Sequence, residues 1–133
     1  MTATIPASHL DLLTEKAAFA QLATTMKDGT PQVTPVWIGW DGTHILVNTA
    51  KGRVKDKNLA ERPSVAMAII DPTNPYRYLG VRGKVVGVDE ANAESHIDVL
   101  AKKYMGVDKY PYASPDSIRI IYKIAPTSVH TMG

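Results

Sequence analysis

The stretch FAQLATTMKDGTPQVTPVWIGWDGTHILVNT, residues 19–49, holds two tight-turn dipeptides between three apolar segments. Asp28-Gly29 and Asp41-Gly42 can both adopt the positive φ angles that tight hairpins require. The stretch therefore predicts three strands joined by short turns, and hairpin connections pair such strands antiparallel. The predicted strands cover residues 19–26, 31–40 and 43–49.

Outward from this stretch, apolar alternation and helical periodicity predict the remaining elements. Further strands are expected over 64–70, 77–89 and 117–124, and helices over 8–18, 52–62 and 90–104. Arg119 falls on the polar face of the last strand. His96 lies off the apolar stripe of the last helix, which consists of Ala93, Ile97, Leu100, Ala101 and Tyr104. Pro31 and Pro35 cannot donate ladder hydrogen bonds, so part of the second strand should lie at a sheet edge or bulge. Six short strands in 133 residues are closed most economically as a barrel. We expect one mainly β domain over residues 1–133, a six-stranded antiparallel barrel with helices over its openings.

Composition excludes several classes of protein and site. The chain has no cysteine, which excludes a disulfide framework, a thiolate metal site and a cysteine nucleophile, and fits the reducing cytoplasm that we expect as its location. The formal charge of +2 does not by itself indicate a nucleic-acid partner. The first residues lack the basic start of a signal peptide. No apolar run approaches the ~20 residues of a membrane span, so none is expected.

No side-chain catalyst is evident in the sequence. The four histidines are scattered and form no metal-ligand spacing, so we expect no metal site and place His9, His44 and His96 at the surface. The chain has no G-x-S-x-G elbow and no phosphate-binding glycine loop of the known kinds. If the protein is an enzyme, a cofactor should therefore carry the reaction.

A run of cations follows the third predicted strand, in NTAKGRVKDKNL at residues 48–59. The cations occupy every second position, at Lys51, Arg53, Lys55 and Lys57. The run is open to two interpretations, a solvated helix face or an anion-binding site at a helix start, where free backbone N–H groups favour phosphate. A single acid, Asp56, interrupts the run, and Gly52 would leave room for a ligand, so both details favour the anion site.

Two further stretches are informative and stay open at this point. In VTPVWIGWDG, the irregular backbone around Thr34-Pro35 could contact a flat heterocycle, or Trp37 and Trp40 could simply pack in the core and under a turn. In NPYRYLGVRG, Tyr76 and Tyr78 flank an arginine at period two. They could belong to the core, to a dimer interface or to a ligand wall.

Together these stretches resemble the pyridoxamine 5′-phosphate oxidase-like split β-barrel family, and more narrowly its branch that uses the deazaflavin coenzyme F420 in place of FMN. The resemblance covers about residues 15–128. Its motifs are A-x-G-R-x-K-x-x-N-L at residues 50–59 and D-P-x-N-P-Y-R-Y at residues 71–78. It implies a homodimer with cofactor sites at the subunit interface. It also implies hydride transfer between the reduced deazaflavin and a small conjugated organic substrate.

The resemblance implies a set of cofactor-binding residues and no catalytic side chain. Arg53 and Lys55 would bind the cofactor phosphate, while Lys51, Lys57 and Asn58 would lie alongside, toward its acidic tail. The tricyclic ring would be lined by Gln32, Val33, Thr34, Pro35 and Val36. The neighbours of the ring and its ribityl chain would be Asn48 and Thr49. The aromatic residues approaching from the other subunit would be Tyr76 and Tyr78.

Other functions remain open at this stage. The same fold could support an FMN-dependent oxidoreductase of the pyridoxamine 5′-phosphate oxidase type, or a non-catalytic protein that binds and carries F420. A nucleic-acid-binding barrel is the least favoured alternative, because the basic run contains no aromatic residue on which a base could stack.

Overall fold

Seven antiparallel strands form one hydrogen-bonded sheet in the computed structural model, which describes residues 2–133. The strands are β1 (Ala20–Thr25), β2 (Pro31–Val36), β3 (Ile38–Trp40), β4 (Ile45–Ala50), β5 (Ser64–Asp71), β6 (Asn74–Asp89) and β7 (Arg119–Met132). The helices are α1 (Asp11–Thr14), α2 (Val54–Glu61) and α3 (Ala93–Met105), with one 3-10 turn at Ala7–His9. Within residues 2–133, no helix has the length and apolar character needed to cross a bilayer.

The chain connection between the two sheet edges forces the sheet to curl. The strand order is β2-β1-β5-β6-β7-β4-β3, yet the edge strands β2 and β3 are separated in sequence by Trp37 alone. In a flat sheet of seven strands these edges would lie about 29 Å apart, because neighbouring strands are about 4.8 Å apart. Two Cα steps span at most about 7.6 Å. The sheet must therefore bend until its edges meet at Trp37, which gives the split barrel that the sequence predicted.

The strand count differs from the expectation by one, because the predicted second strand breaks at Trp37. Side chains from the end of α3 bond the backbone beside the break. The N–H of Ile38 donates to Tyr104 Oη (3.1 Å), and Lys103 Nζ donates to the Ile38 carbonyl (3.2 Å). Tyr104 Oη in turn donates to the carbonyl of Ala18 (2.7 Å). These partners are distant in sequence, so local periodicity could not reveal the break.

The prolines of β2 lie where the sequence placed them, on an edge strand. Pro31 is opposite Thr25 and Pro35 is opposite Gln21, both in β1. β2 is the end strand of the sheet order, so the missing proline N–H groups interrupt no inner ladder.

The core fills the inside of the curl with aliphatic side chains from nearly every strand. Fully buried examples are Leu22, Ile38, Ile45, Val47, Ile69, Leu79 and Ile124. Helix α3 packs against the barrel with the buried stripe predicted from its periodicity, formed by Ala93, Ile97, Leu100 and Ala101. The last strand is longer than expected: it continues to Met132, which pairs with Tyr78 of β6. The C-terminal segment is therefore part of the sheet.

Truncating a central core side chain should destabilise the fold. Leu79 is fully buried in β6, which pairs with both β5 and β7. Leu79→Ala is expected to lower the free energy of unfolding by about 2–5 kcal/mol, because the surrounding sheet relaxes only partly into the cavity. Urea denaturation at fixed protein concentration measures this change. Exposed Lys84 of the same strand provides the control, Lys84→Ala, which should change stability by less than about 0.5 kcal/mol. Equal midpoints for the two variants would contradict the assignment.

Candidate functional site

A cleft of about 260 Å³ opens where the two sheet edges meet. Pro35 and Val36 come from the end of β2, and Trp37 from the break. Asn48 and Thr49 come from β4, the neighbour of the other edge strand, β3. The start of α2, the start of β7 and the loop at 106–118 complete the lining with Arg53, Lys55, Tyr110, Tyr112 and Arg119. The curl of the sheet thus gathers residues that are far apart in sequence.

One wall of the cleft is aromatic. The ring of Trp37 stacks on Tyr104 at 5.2 Å between centroids with an interplanar angle of 6°. Tyr110 meets Trp37 edge-on at 5.9 Å, and Tyr112 meets Tyr110 edge-on at 5.7 Å. Burial raises the pKa of Tyr104 to about 12, so its hydroxyl stays protonated and bonded to the backbone. The flat ring of Trp37 is therefore supported by two neighbouring aromatic rings, which suits contact with a planar ligand.

The cleft also carries three cations. Arg53 immediately precedes α2, Lys55 is half-buried, and Arg119 is buried at the start of β7. Burial lowers the pKa of Lys55, and the charges of Arg53 and Arg119 lower it further. Within residues 2–133 no carboxylate forms an ion pair with any of these three side chains. Partly buried cations that repel one another favour an anionic ligand.

The single acid of the cation run is committed to other contacts. Asp56 Oδ2 accepts the backbone N–H of Gly52 (2.8 Å), and Oδ1 accepts the hydroxyl of Tyr122. Gly52 itself has φ +93°, and an added Cβ would meet no atom within 4 Å. The glycine is therefore required by its left-handed backbone conformation. That it also leaves room for a ligand stays a prediction.

Asn48 connects the cationic side to helix α3. Its Oδ1 accepts from Arg119 Nε (2.9 Å), while its Nδ2 donates to the Ala93 carbonyl (2.8 Å) and to His96 Nδ1 (3.1 Å). Because Nδ2 can only donate, these contacts fix the amide orientation and require His96 Nδ1 to be unprotonated. Helix α3 therefore fixes the side chain of Asn48, which in turn fixes the guanidinium of Arg119.

Two of the histidine expectations were wrong. His96 is half-buried rather than solvated, and burial lowers its pKa. His9 is 3% exposed, with Nε2 at 3.1 Å from the Met132 carbonyl. His44 is half-buried and pairs with Asp41 at 3.0 Å. Among residues 2–133 no group of three or more metal-ligating side chains comes together.

The structure brings together about half of the residues that the resemblance implied. Those lining the cleft are Pro35, Val36, Asn48, Thr49, Arg53 and Lys55. Farther back on β2, Gln32 accepts a hydrogen bond from Thr24, Val33 is exposed, and the Thr34 hydroxyl is buried without a hydrogen-bond partner.

The remaining members of the cation run and Asn58 do not line the cleft. Lys51 forms an ion pair with Glu90 at 3.0 Å, and Lys57 is exposed. Asn58 is buried behind the site: its Nδ2 donates to Thr24 Oγ1 (3.0 Å), and its Oδ1 accepts from Arg62 (3.0 Å). The amide of Asn58 therefore fastens α2 to β1 within the chain.

The two tyrosines implied to come from a second subunit lie on β6. Tyr76 is 79% exposed, and Tyr78 packs edge-on against His130 at 5.7 Å. Neither lines the cleft of its own chain. Their approach to a cofactor across a dimer interface stays a prediction.

Sequence reasoning missed Arg119, Tyr110 and Tyr112 as site residues. Arg119 was placed on the polar face of the last strand, yet it is only 9% exposed. The ring of Tyr110 covers its guanidinium, and the distance from Arg119 Cζ to the ring centroid is 5.5 Å. The available signal was the pair of tyrosines in KYPY, aromatic side chains in a segment with no helical or strand periodicity.

The side chains that line the cleft fit a planar ligand that carries an anionic group. Thr49 lines the cleft, and its hydroxyl is buried with no hydrogen-bond partner within residues 2–133. Leaving such a group unsatisfied costs about 1–3 kcal/mol, which a hydrogen-bonding ligand edge would offset. The aromatic wall, this hydroxyl and the three cations together match a flavin-like ring with a phosphate.

Removing the Tyr104 hydroxyl should loosen the aromatic wall. Tyr104→Phe leaves the Ile38 N–H and the Ala18 carbonyl without their partner, so we expect a loss of about 1–3 kcal/mol in unfolding free energy. Chemical denaturation measures it. Tyr112→Phe is the matched control, because Tyr112 is 69% exposed, and it should be nearly neutral. An unchanged stability in Tyr104→Phe would show that the hydroxyl does not support the break.

Protonation of His96 should destabilise the folded protein in mild acid. Burial lowers its pKa, Lys103 lowers it further and Asp89 opposes the shift, so the unfolded chain binds the proton more readily than the folded one. The unfolding free energy should therefore fall as the pH drops below the ordinary value of 6.5, until the folded-state pKa is passed. His96→Gln should reduce this fall between about pH 7.5 and about pH 5.5. His130→Gln, at an exposed position, should retain it. The same fall in both variants would exclude His96 as the source.

Comparison with known proteins is consistent with this geometry. A solved structure named F420 reductase is 35% identical, with a TM-score of 0.81, and the match covers 95% of this chain and 98% of that one. A conserved hypothetical protein from Mycobacterium tuberculosis is 19% identical, with a TM-score of 0.72 and coverage of 98% and 86%. HupZ from Group A Streptococcus is 18% identical, with a TM-score of 0.66 and coverage of 96% and 94%.

The last two structures show the fold alone. No curated protein sequence matches the chain. The pyridoxamine 5′-phosphate oxidase family matches over residues 7–133, nearly the whole length. The chain therefore belongs to the pyridoxamine 5′-phosphate oxidase family.

Proposed function

We propose that the protein is an oxidoreductase that binds coenzyme F420 in the cleft and transfers hydride between the reduced deazaflavin and a small conjugated organic substrate. The observation that carries the proposal is that Arg53, Lys55 and Arg119 line the same cleft as the aromatic wall at Trp37. The 35% identity to a protein named F420 reductase supports the deazaflavin over other flat anionic ligands.

The residues of the chain have separable roles in this proposal. Arg53 and Lys55 bind the phosphate, and exposed Lys57 faces the acidic tail. The end of β2 at Pro35 and Val36 lines the ring. When bound, the deazaflavin supplies the ring carbon that carries the hydride. The protein orients the reactants and excludes water, which accounts for the absence of an evident catalytic side chain in the sequence.

Two alternatives share the same site. An FMN-dependent oxidoreductase is favoured by the family description, pyridoxamine 5′-phosphate oxidase. A carrier that binds F420 without turnover would need the same cations and the same wall. In each case a second copy of the chain is proposed to complete the site, with Tyr76 and Tyr78 approaching from it. The mass of the protein in solution, measured with and without ligand, tests the dimer.

Direct titration separates the cofactors. The protein is titrated separately with F420 and with FMN, and the change in ring fluorescence is followed. Tighter binding of F420 supports the proposal, and tighter binding of FMN favours the alternative. Turnover of reduced F420 with a panel of enones and quinones then distinguishes an enzyme from a carrier.

Replacing both phosphate-binding cations should weaken binding strongly. Charge-assisted contacts contribute about 1.5–3 kcal/mol each where water is partly excluded. Arg53→Ala combined with Lys55→Ala should therefore cost about 3–5 kcal/mol, a few hundred-fold or more in the Kd for F420. Lys27→Ala combined with Lys84→Ala, at two exposed positions outside the cleft, is the charge-matched control and should bind as the parent does. The proposal fails if the folded double variant binds F420 as tightly as the parent.

A further inference from the structure

A second chamber of about 240 Å³ adjoins the cleft. It lies between α3 and the segment of the 106–118 loop that includes Lys109 and Ser114. The residues that line both chambers are Arg53, Ile97, Tyr110, Tyr112 and Arg119. Arg119 therefore stands at the wall between the two spaces, where a ligand in either one can reach it.

Arg119 is buried with neutral partners only. Its Nε donates to Asn48 Oδ1 (2.9 Å) and its Nη2 to the Asn48 carbonyl (3.3 Å). Nη1 has no hydrogen-bond partner among residues 2–133 and is not fully buried, so a ligand beside Arg119 can reach it. Arginines this buried are almost always paired with an acid, and this one is not.

The surrounding charges favour an anion at this guanidinium. Arg53 and Lys55 add positive charge on the cleft side, close enough to repel Arg119. Two acids line the second chamber, but one of them, Asp98, already accepts the N–H of Tyr110 (2.8 Å) and lies 3.7 Å from Lys109 Nζ. The other, Glu94, is exposed and makes no ion pair within residues 2–133.

We propose that Arg119 binds an anionic oxygen group, a phosphate or a carboxylate, through its open Nη1. Asn48 and the ring of Tyr110 hold the guanidinium in place before the ligand arrives, so little side-chain freedom is lost on binding. The anion comes either from the cofactor or from the substrate. This inference deepens the proposed function and rests on it for the identity of those two sources.

Binding of inorganic pyrophosphate tests the site without any cofactor. Arg119→Gln should weaken pyrophosphate binding about 10- to 100-fold by calorimetry, and Arg119→Lys, which keeps the charge but loses the planar fork, should weaken it less. Arg82→Gln is the control, because Arg82 is exposed on β6 and contacts Ser128. Asn48→Asp, which sets a carboxylate against the guanidinium, should weaken binding as well. Absence of pyrophosphate binding in the parent, or parental affinity in a folded Arg119→Gln variant, overturns the proposal.

Two further measurements identify the source of the anion. If Arg119→Gln raises the Kd for F420 or FMN by a similar factor, the anion belongs to the cofactor. The other outcome is that Arg119→Gln leaves both Kd values unchanged. If the variant then raises the KM for a carboxylate-bearing enone but not the KM for the uncharged enone, the anion belongs to the substrate. If neither F420 nor FMN binds while pyrophosphate binding still depends on Arg119, the proposed function fails and the anion site stands.

Discussion

The meeting of the two sheet edges at Trp37 is the constraint on which the rest of the molecule depends. One residue joins strands that lie at opposite ends of a seven-stranded order, so no flat arrangement of the sheet is possible. The curl that results sets β2 against β4 and leaves a cleft along the line of closure. The residues that line the cleft are therefore placed by topology, and their chemistry is supplied by the short segments around that line.

Helix α3 holds both sides of this cleft. Near its C-terminal end, Tyr104 stacks under Trp37 and bonds the backbone beside the break, while Lys103 Nζ donates to the carbonyls of Leu13 and Ile38. Burial lowers the pKa of Lys103 to about 8, which leaves the ammonium mostly charged at neutral pH and so able to donate. Near its N-terminal end, the Ala93 carbonyl fixes the amide of Asn48. A shift of this one helix would disturb the aromatic wall and the cations together.

The elements that depend on local pattern could be predicted from the sequence. The two Asp-Gly turns, the edge prolines and the buried stripe of α3 all follow from neighbours within a few residues, and all are present in the structure. The cation run was recognised as well, and its inner members, Arg53 and Lys55, do line a cleft.

What the sequence could not reveal depends on contacts made across the fold. The break at Trp37 is stabilised from α3, and Arg119 is buried only because the loop at Tyr110 covers it. His96 was expected in solvent because it lies off the apolar stripe of its helix, but that flank of α3 packs against Asn48 of β4. In each case the environment of a residue is set by an element outside its own helix or strand. The alternation of polar and apolar residues along one strand cannot show that another element of the fold covers a side chain.

The arrangement of charge explains how a nearly neutral chain presents a strongly positive cleft. The formal charge is only +2, yet three cations share one cleft while Asp56, the single acid of the cation run, is engaged by Gly52 and Tyr122. Two unit charges about 4 Å apart repel by about 4 kcal/mol at an effective dielectric constant near 20, so crowding cations has a real cost in stability. That cost is largely removed when an anion binds. Affinity for the anion and instability of the empty cleft thus have one electrostatic origin, and the hydrogen bonds that fix Asn48 and Tyr104 keep the cations and the wall in place against that repulsion.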